Sequence, residues 1–355
     1  MSSCCNTPKP ESSCHDEKFS IDFLLWVSLI LTVIFYLLHW KFSHFIEEIS
    51  WVTVIAESVF SLMNIIWWGI VLGIVMLALL SKIPREFVIS ILGTGKGFSG
   101  IIRASIGGVL LDLCSHGILM VGAKLYERGA SVGQVMAFLI ASPWNSFSLT
   151  IILIALIGLK WTIFFIIASM VIAIFSGWLF DLLEKKGVLP SNPNTINLPD
   201  NFNFLAEAKS QLSEARFTSS TFFEMAKSGI LDSRMVLRWI LFGVLLASAI
   251  RAVLDVSTYQ EYFGPTMAGL LLTLLAATVI EVCSEGSTPV AADLLTRAKA
   301  PGNSFAFLMA GVSTDYTEVM VLKDTTKSWK IALFLPLITV PQIFLIAWLV
   351  NIQTL

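Results

Sequence analysis

Long apolar segments recur along this chain, and they restrict its fold more than any other feature. A helix that crosses the hydrocarbon core of a bilayer needs about 20 apolar residues, because each residue advances the helix by about 1.5 Å. Seven segments meet that requirement, and polar stretches separate them. The candidate spans are Ile21–Trp40, Val52–Leu80, Gly133–Leu156, Trp161–Leu183, Val236–Leu254, Gly302–Leu322 and Ile331–Val350.

Composition supports a membrane protein. Hydrophobic residues make up 56% of the 355 residues and charged residues 14%, whereas soluble domains carry about 25% charged residues. This deficit excludes a soluble enzyme of this size. The net charge is −2, so no basic surface predicts a nucleic-acid partner. We predict an all-α, multi-pass protein of the inner (plasma) membrane, whose main partner is the lipid bilayer.

Polar segments divide the chain into four predicted parts. Residues 1–20 form a polar tail that contains cysteines, and residues 21–183 form the first span plus a first membrane repeat. Residues 184–235 form a polar cytoplasmic linker, and residues 236–355 form a second membrane repeat. No small-residue cleavage site follows the first apolar run, so we expect an uncleaved span and not a signal peptide.

The two halves are related in sequence. A shift of 169 residues aligns Cys114–Ala141 with Cys283–Ala310 without a gap, and 12 of the 28 positions are identical. Apolar composition accounts for some of the matches, but it does not account for a shared Cys-Ser-x-Gly element, a shared arginine (Arg128 and Arg297) and a shared glycine (Gly133 and Gly302). Internal repeats are typical of secondary transporters.

The positive-inside rule then predicts the topology. Two further apolar stretches, Gly100–Tyr126 and Thr266–Leu295, are interrupted by the Cys-Ser-x-Gly elements. If each is a re-entrant pair of half-helices, the basic residues between 82 and 103 lie on the same side as the linker, as the rule requires. Seven crossings and two inverted repeats follow. Arg297 and Lys299 disagree, because this topology places them outside.

The interrupted segments bring thiol, imidazole and carboxylate groups into apolar surroundings. Ionisable residues at membrane depth are costly and usually face a cavity, and thiolate and imidazole suit soft metals and metalloids. We predict substrate binding by Cys114, Ser115, His116, Cys283, Ser284, Glu285, Asn145 and Asp315. Asp112, Glu281 and Glu318 are candidates for proton coupling. A buried cysteine can instead act as a small hydrophobe, and the polar residues can satisfy the backbone of a kinked helix.

The tail contains a second group of soft ligands. Cys4, Cys5, Cys14 and His15 could gather a soft cation, although they lack the regular spacing of a zinc site. A disordered tail with incidental cysteines explains the same residues.

Several of these motifs resemble the ArsP-like predicted permease family, which includes organoarsenical and heavy-metal efflux permeases. The resemblance rests on residues 114–117, 125–131 and 137–143 of the first half and 283–286, 289–292 and 306–308 of the second. It implies a multi-span permease with two repeats that moves a solute out of the cytoplasm. Relatives with a metal role often carry Cys-Ser-Cys-Gly, where this chain has His116 and Glu285. Fewer thiols weaken the case for trivalent arsenicals and shift the expected cargo toward a divalent metal or a non-metal solute.

We therefore expect a secondary permease that exports a thiophilic metal or metalloid species by alternating access. The sequence has no G-x-x-x-x-G-K-[ST] motif, so we predict no cofactor and expect energy from an ion gradient or a partner subunit. The cargo would be a small inorganic or organometallic solute, and a homo-oligomer is compatible with the sequence. Three alternatives stay open: a permease for a small organic or anionic solute, a membrane-embedded metal-dependent enzyme, and a structural subunit of a larger complex.

Overall fold

The computed structural model describes residues 22–46, 50–80, 97–110, 115–127, 129–141, 147–194, 219–280 and 284–354. Within these ranges every regular element is an α-helix, which confirms the predicted fold class. The first half contains α1 (Phe23–Ile46), α2 (Ser50–Leu80), α3 (Phe98–Leu110), α4 (Ser115–Glu127), α5 (Val132–Ala141), α6 (Phe147–Ile157) and α7 (Leu159–Lys185). The second contains α8 (Ser219–Val253), α9 (Val256–Phe263), α10 (Met267–Ile280), α11 (Ser284–Thr296), α12 (Pro301–Thr314), α13 (Tyr316–Thr326) and α14 (Trp329–Thr354).

Four of the described helices, α1, α2, α7 and α14, are long and apolar enough to cross a membrane. A fifth candidate consists of α8 and α9, which are bent relative to each other by 104°. Large apolar side chains on these helices face outward: Leu333, Leu337 and Leu345 of α14 are between 52% and 64% exposed. Such a surface is stable only against lipid tails. The chain is therefore a multi-pass membrane protein.

Two of the predicted spans are divided into shorter helices. The span predicted at Gly302–Leu322 consists of α12 and α13, separated at Asp315, whose extended backbone (φ −56°, ψ 124°) cannot continue a helix. The span predicted at Gly133–Leu156 consists of α5 and α6, and residues 142–146 between them lie outside the described residues. A further difference concerns α8, which begins at Ser219, inside the polar segment predicted as linker.

The helices α10 and α11 form a hairpin, because the chain segments at its two ends touch. Gln260 Nε2 donates a hydrogen bond to the carbonyl of Arg297 at 2.8 Å, and Asn303 Nδ2 donates one to the carbonyl of Phe263 at 2.8 Å. If α10 and α11 continued in one line, these segments would be separated by roughly 40 Å at 1.5 Å per residue. The two helices therefore run in opposite directions, and we call them the second hairpin.

The helices α3 and α4 form a corresponding first hairpin. A Cβ atom built on Gly177 of α7 would lie 3.0 Å from Ile101 Cγ2 and 2.7 Å from the carbonyl oxygen of Gly133. Ile101 stands at the start of α3, and Gly133 stands just after the end of α4. Both ends of this helix pair therefore lie against the same turn of α7.

The two hairpins open at opposite ends of the bundle. The linker end is the end that contains residues 186–194, and there Asn192 Nδ2 donates to the carbonyls of Tyr126 and Ala130 at 2.7 and 2.8 Å, beside the first hairpin. At the far end, the start of α7 meets the start of α12, where the rings of Phe165 and Phe305 lie 5.4 Å apart. Because α12 directly follows α11, the second hairpin opens at the far end.

The order and packing of the helices recur in the two halves. The helix starts Ser50 and Ser219, Phe98 and Met267, Ser115 and Ser284, Val132 and Pro301, and Phe147 and Tyr316 are each 169 residues apart. In the first half α3 and α4 pack on α5, and α5 packs on α7. In the second half α10 and α11 pack on α12, and α12 packs on α14. The corresponding helices α2 and α8 pack together, as do α7 and α14.

Candidate substrate site between two helical hairpins

Each hairpin packs against a short helix from the opposite half. The helix α4 of the first hairpin packs on α13, and α11 of the second hairpin packs on α6. The short helices α6 and α13 each form one part of a span that is divided near its middle. Residues from both halves therefore meet where these spans are interrupted.

Four helices begin in the middle of the bundle. The helix α4 ends at the linker end, where Asn192 contacts Tyr126, and α13 also ends there because it leads into the start of α14. The opposite end of α14 lies at the far end, where Asn351 contacts Gly302. The helices α6 and α11 both end at the far end, since α6 leads into the start of α7. All four are half-span helices of 11 or 13 residues, so their N-termini lie at mid-depth.

A contact between two threonines brings two of these N-termini together. Thr278 Oγ1 of α10 lies 3.1 Å from Thr314 Oγ1 of α12. Two residues after Thr314 the helix α13 begins, and six residues after Thr278 the helix α11 begins. The starts of α11 and α13 therefore face a common region at the centre of the protein.

Polar side chains predicted from the sequence lie at these helix starts. Ser284, Glu285 and Glu318 are buried, with 5% or 6% of each side chain exposed, and Asp315 is half-buried. Glu285 and Glu318 occupy the first turns of α11 and α13, where a carboxylate interacts favourably with the helix dipole. The hydroxyl of Ser284 has no hydrogen-bond partner, although it is buried. The structure thus brings together four of the predicted residues.

Other predicted residues lie outside the described part of the chain. These are Asp112, Cys114, Asn145, Glu281 and Cys283, together with Cys4, Cys5, Cys14 and His15 of the tail. Ser115 and His116 form the start of α4, but only their backbone is described. Thiol contact with the substrate therefore stays a prediction. Among the described residues, no group of three or more His, Cys, Asp or Glu side chains could hold a metal ion.

Sequence reasoning missed the close contact between α8 and the second hairpin. A Cβ atom on Gly243 would lie 2.3 Å from the carbonyl oxygen of Gly286, so the two backbones touch. Gly286 belongs to the Cys-Ser-x-Gly element, but no local feature marks Gly243 as its neighbour. Close backbone contact through small residues is typical of helix packing in membranes.

A buried ion cluster holds the open end of the second hairpin. Arg251 Nη2 of α8 lies 2.6 Å from Asp293 Oδ1, and its Nε donates to Asp293 Oδ2 at 2.8 Å. Arg297 Nη1 lies 3.8 Å from the same carboxylate. The sequence analysis left the partner of Arg297 unassigned, although the spacing of four residues from Asp293 places both on one helix face. Arg251 is 42 residues from Asp293, and no sequence signal joins them.

Comparison with known proteins identifies the family. Residues 53–352 match the model of the ArsP_1 family, whose description is predicted permease. This chain belongs to that family. Membership agrees with the resemblance seen in the motifs, and together with the candidate spans it places this ArsP_1 protein in the plasma membrane, with membrane transport as the activity of its family.

Individual relatives are distant. The chain is 24% identical over 242 residues to "Putative permease Rv2963" of Mycobacterium tuberculosis, an alignment that covers 64% of this chain and 59% of that protein. It is 23% identical over 310 residues to the UPF0718 protein MJ0584 of Methanocaldococcus jannaschii, covering 73% of this chain and 84% of the relative. For the UPF0718 protein YcgR of Bacillus subtilis the identity is 20%, with 76% and 88% covered. No solved structure matches the chain.

Proposed function

We propose that this ArsP_1 protein is a secondary permease that exports a thiophilic metal or metalloid species by alternating access. The observation that carries the proposal is the meeting of four helix N-termini, two from each half, at mid-depth between two hairpins. Transporters commonly place their substrate sites near the bilayer midplane, where interrupted helices from two repeats meet. An interrupted helix in lipid is tolerated where protein, water or cargo can satisfy its free backbone groups.

We infer that the two halves are inverted copies of one unit. Three observations support this inference: the constant offset of 169 residues between helix starts, the recurring packing of the hairpins, and the opening of the hairpins at opposite ends. Inverted repeats allow one half to rock against the other around a central site, which exposes the site to each side in turn. This is the physical basis for alternating access.

The cargo class rests on the two Cys-Ser-x-Gly elements. Cys114 and Cys283 precede Ser115 and Ser284, the first residues of α4 and α11, so the thiols are close in sequence to two of the central N-termini. Thiolate ligands select soft metals and metalloids. Buried Glu318 is the best-described candidate for proton uptake, with Asp112 and Glu281 as further candidates.

The decisive experiment is transport in everted membrane vesicles. Vesicles that contain the wild-type protein should accumulate one member of a panel of arsenite, Cd²⁺, Zn²⁺ and Cu⁺ when a proton gradient is imposed. Cys114→Ala and Cys283→Ala should each reduce the initial rate at least tenfold. Full activity of both variants would show that direct thiol ligation is wrong, while the permease itself would stand.

Two further results would decide between neighbouring functions. Bound metal or turnover in the purified protein without any flux in vesicles would favour a membrane-embedded metal-dependent enzyme. Deletion of residues 2–18 tests the tail: we expect lower metal tolerance in cells if Cys4, Cys5, Cys14 and His15 collect the cargo. Unchanged tolerance would remove the tail from the mechanism.

A further inference from the structure

We propose that the central site binds its cargo through anionic oxygen atoms, so that the transported species is a small oxyanion and not a bare metal cation. This inference rests on the proposed permease function and narrows its cargo. It comes from the described part of the site, which presents hydrogen-bond donors and positive helix ends.

The four central N-termini favour negative charge. The first four N–H groups of a helix have no partner within the helix, and the aligned peptide dipoles are equivalent to about half a positive charge at that end. Glu285 and Glu318 compensate this charge for α11 and α13. The first turns of α4 and α6 contain no acidic residue, so their positive ends are free to interact with an anion.

An unpaired hydroxyl supplies the second, independent observation. Ser284 Oγ is buried at the first residue of α11 and has no hydrogen-bond partner in the protein. Other buried hydroxyls nearby satisfy themselves within their own helices: Thr288 Oγ1 donates to the Ser284 carbonyl at 2.8 Å, and Ser313 Oγ donates to the Met309 carbonyl at 2.9 Å. Leaving a buried polar group unpaired costs about 1–3 kcal/mol, so an unpaired donor at this position is explained by a ligand that accepts its hydrogen bond.

The two features together match an oxyanion. Backbone N–H groups at helix N-termini bind sulfate, phosphate and carboxylate oxygens directly, and the Ser284 hydroxyl adds a donor at the same helix end. A bare divalent cation would meet the positive ends of α4 and α6. The two glutamates that could attract it already interact with other groups.

Ligand binding to purified full-length protein tests the inference. The probes are sulfate, phosphate, arsenate and selenite on one side, and Cd²⁺ and Zn²⁺ on the other, each titrated calorimetrically in detergent. We expect saturable binding of at least one oxyanion to the wild-type protein, and about tenfold weaker binding to Ser284→Ala, because a hydrogen bond to a charged group is lost. Ser284→Thr, which retains a hydroxyl, should bind nearly as well as the wild type.

Ser248→Ala is the matched control. Ser248 Oγ is also buried and unpaired, but it lies inside α8, away from any helix N-terminus. Its removal should leave oxyanion binding unchanged. Binding of Cd²⁺ or Zn²⁺ without binding of any oxyanion would overturn the proposal, as would equal oxyanion affinity in Ser284→Ala and wild type.

The same probes separate this inference from the proposed function. An oxyanion that binds the purified protein but is not transported by vesicles would contradict the permease function and leave the anion site in place. Transport of Cd²⁺ by vesicles, with no oxyanion binding or flux, would contradict the anion site and leave the permease function in place.

Discussion

Asn351 Oδ1 accepts a hydrogen bond from the backbone N–H of Gly302 at 2.8 Å. Asp181 Oδ1 makes the corresponding contact with the N–H of Gly133 at 3.0 Å in the first half. In both halves, a side chain near the end of the last long helix therefore satisfies a free N–H at the start of the helix that follows the hairpin. These bonds hold each hairpin against the long helix that supports it.

Gly302→Ala should strongly destabilise the protein. A Cβ atom at this position would lie 2.0 Å from the carbonyl oxygen of Ala347, so α12 and α14 would have to separate. Overpacking of this kind typically costs about 1–3 kcal/mol, and more where backbone must move. Thermal unfolding in detergent should show a lower midpoint. Gly311→Ala in the same helix is the control: nothing lies within 4 Å of its Cβ, and a midpoint as low as that of Gly302→Ala would refute the steric explanation.

Substitutions at Asn351 and Asp181 should have unequal effects. Asn351→Leu leaves the Gly302 N–H without its acceptor and Asn303 Oδ1 without its donor, which lies at 2.7 Å. Each buried unpaired group costs about 1–3 kcal/mol, so the unfolding midpoint should fall. Asp181→Asn keeps an acceptor oxygen for Gly133 and removes a buried carboxylate, so stability should change little. A larger loss for Asp181→Asn than for Asn351→Leu would contradict this account.

Breaking the Arg251–Asp293 pair should impair the second hairpin. The Asp293 side chain is 2% exposed and that of Arg251 is 17% exposed. Removing one partner from a buried pair costs about 3–5 kcal/mol, because the other charge stays buried and unpaired. We expect Arg251→Met to lower both the unfolding midpoint and the transport rate. The exposed pair Lys124–Glu127 serves as the reference, since Lys124→Met should cost less than about 1 kcal/mol.

Cysteine labelling should place the two hairpin openings on opposite sides of the membrane. Lys186 at the linker end and Lys299 at the far end are both exposed, so Lys186→Cys and Lys299→Cys in a cysteine-free background provide matched reporters. An impermeant thiol reagent should label Lys299→Cys in intact cells and Lys186→Cys only after permeabilisation. Labelling of both positions in intact cells would exclude inverted halves.

Much of the fold could be predicted from local sequence. The length of an apolar run reflects the thickness of the bilayer, so α1, α2, α7 and α14 are evident without a structure. The Cys-Ser-x-Gly elements mark the points where α4 and α11 begin. The shared glycines at 133 and 302 are explained by close backbone contacts that only glycine allows.

The partners of each helix could not be predicted in this way. Helices that are apolar on every side contain little information about which face meets a neighbour, and lipid tails are as apolar as the interior. The packing of α4 on α13 and of α6 on α11 joins residues more than 100 positions apart.

The sequence by itself therefore determined that this chain crosses the membrane repeatedly, belongs to a permease family and contains two related polar interruptions. Only the tertiary structure decided that four helix N-termini meet at its centre, because that meeting depends on packing between distant segments. It also showed that Ser284, predicted as one of many site residues, is the buried one whose hydroxyl has no partner within the protein.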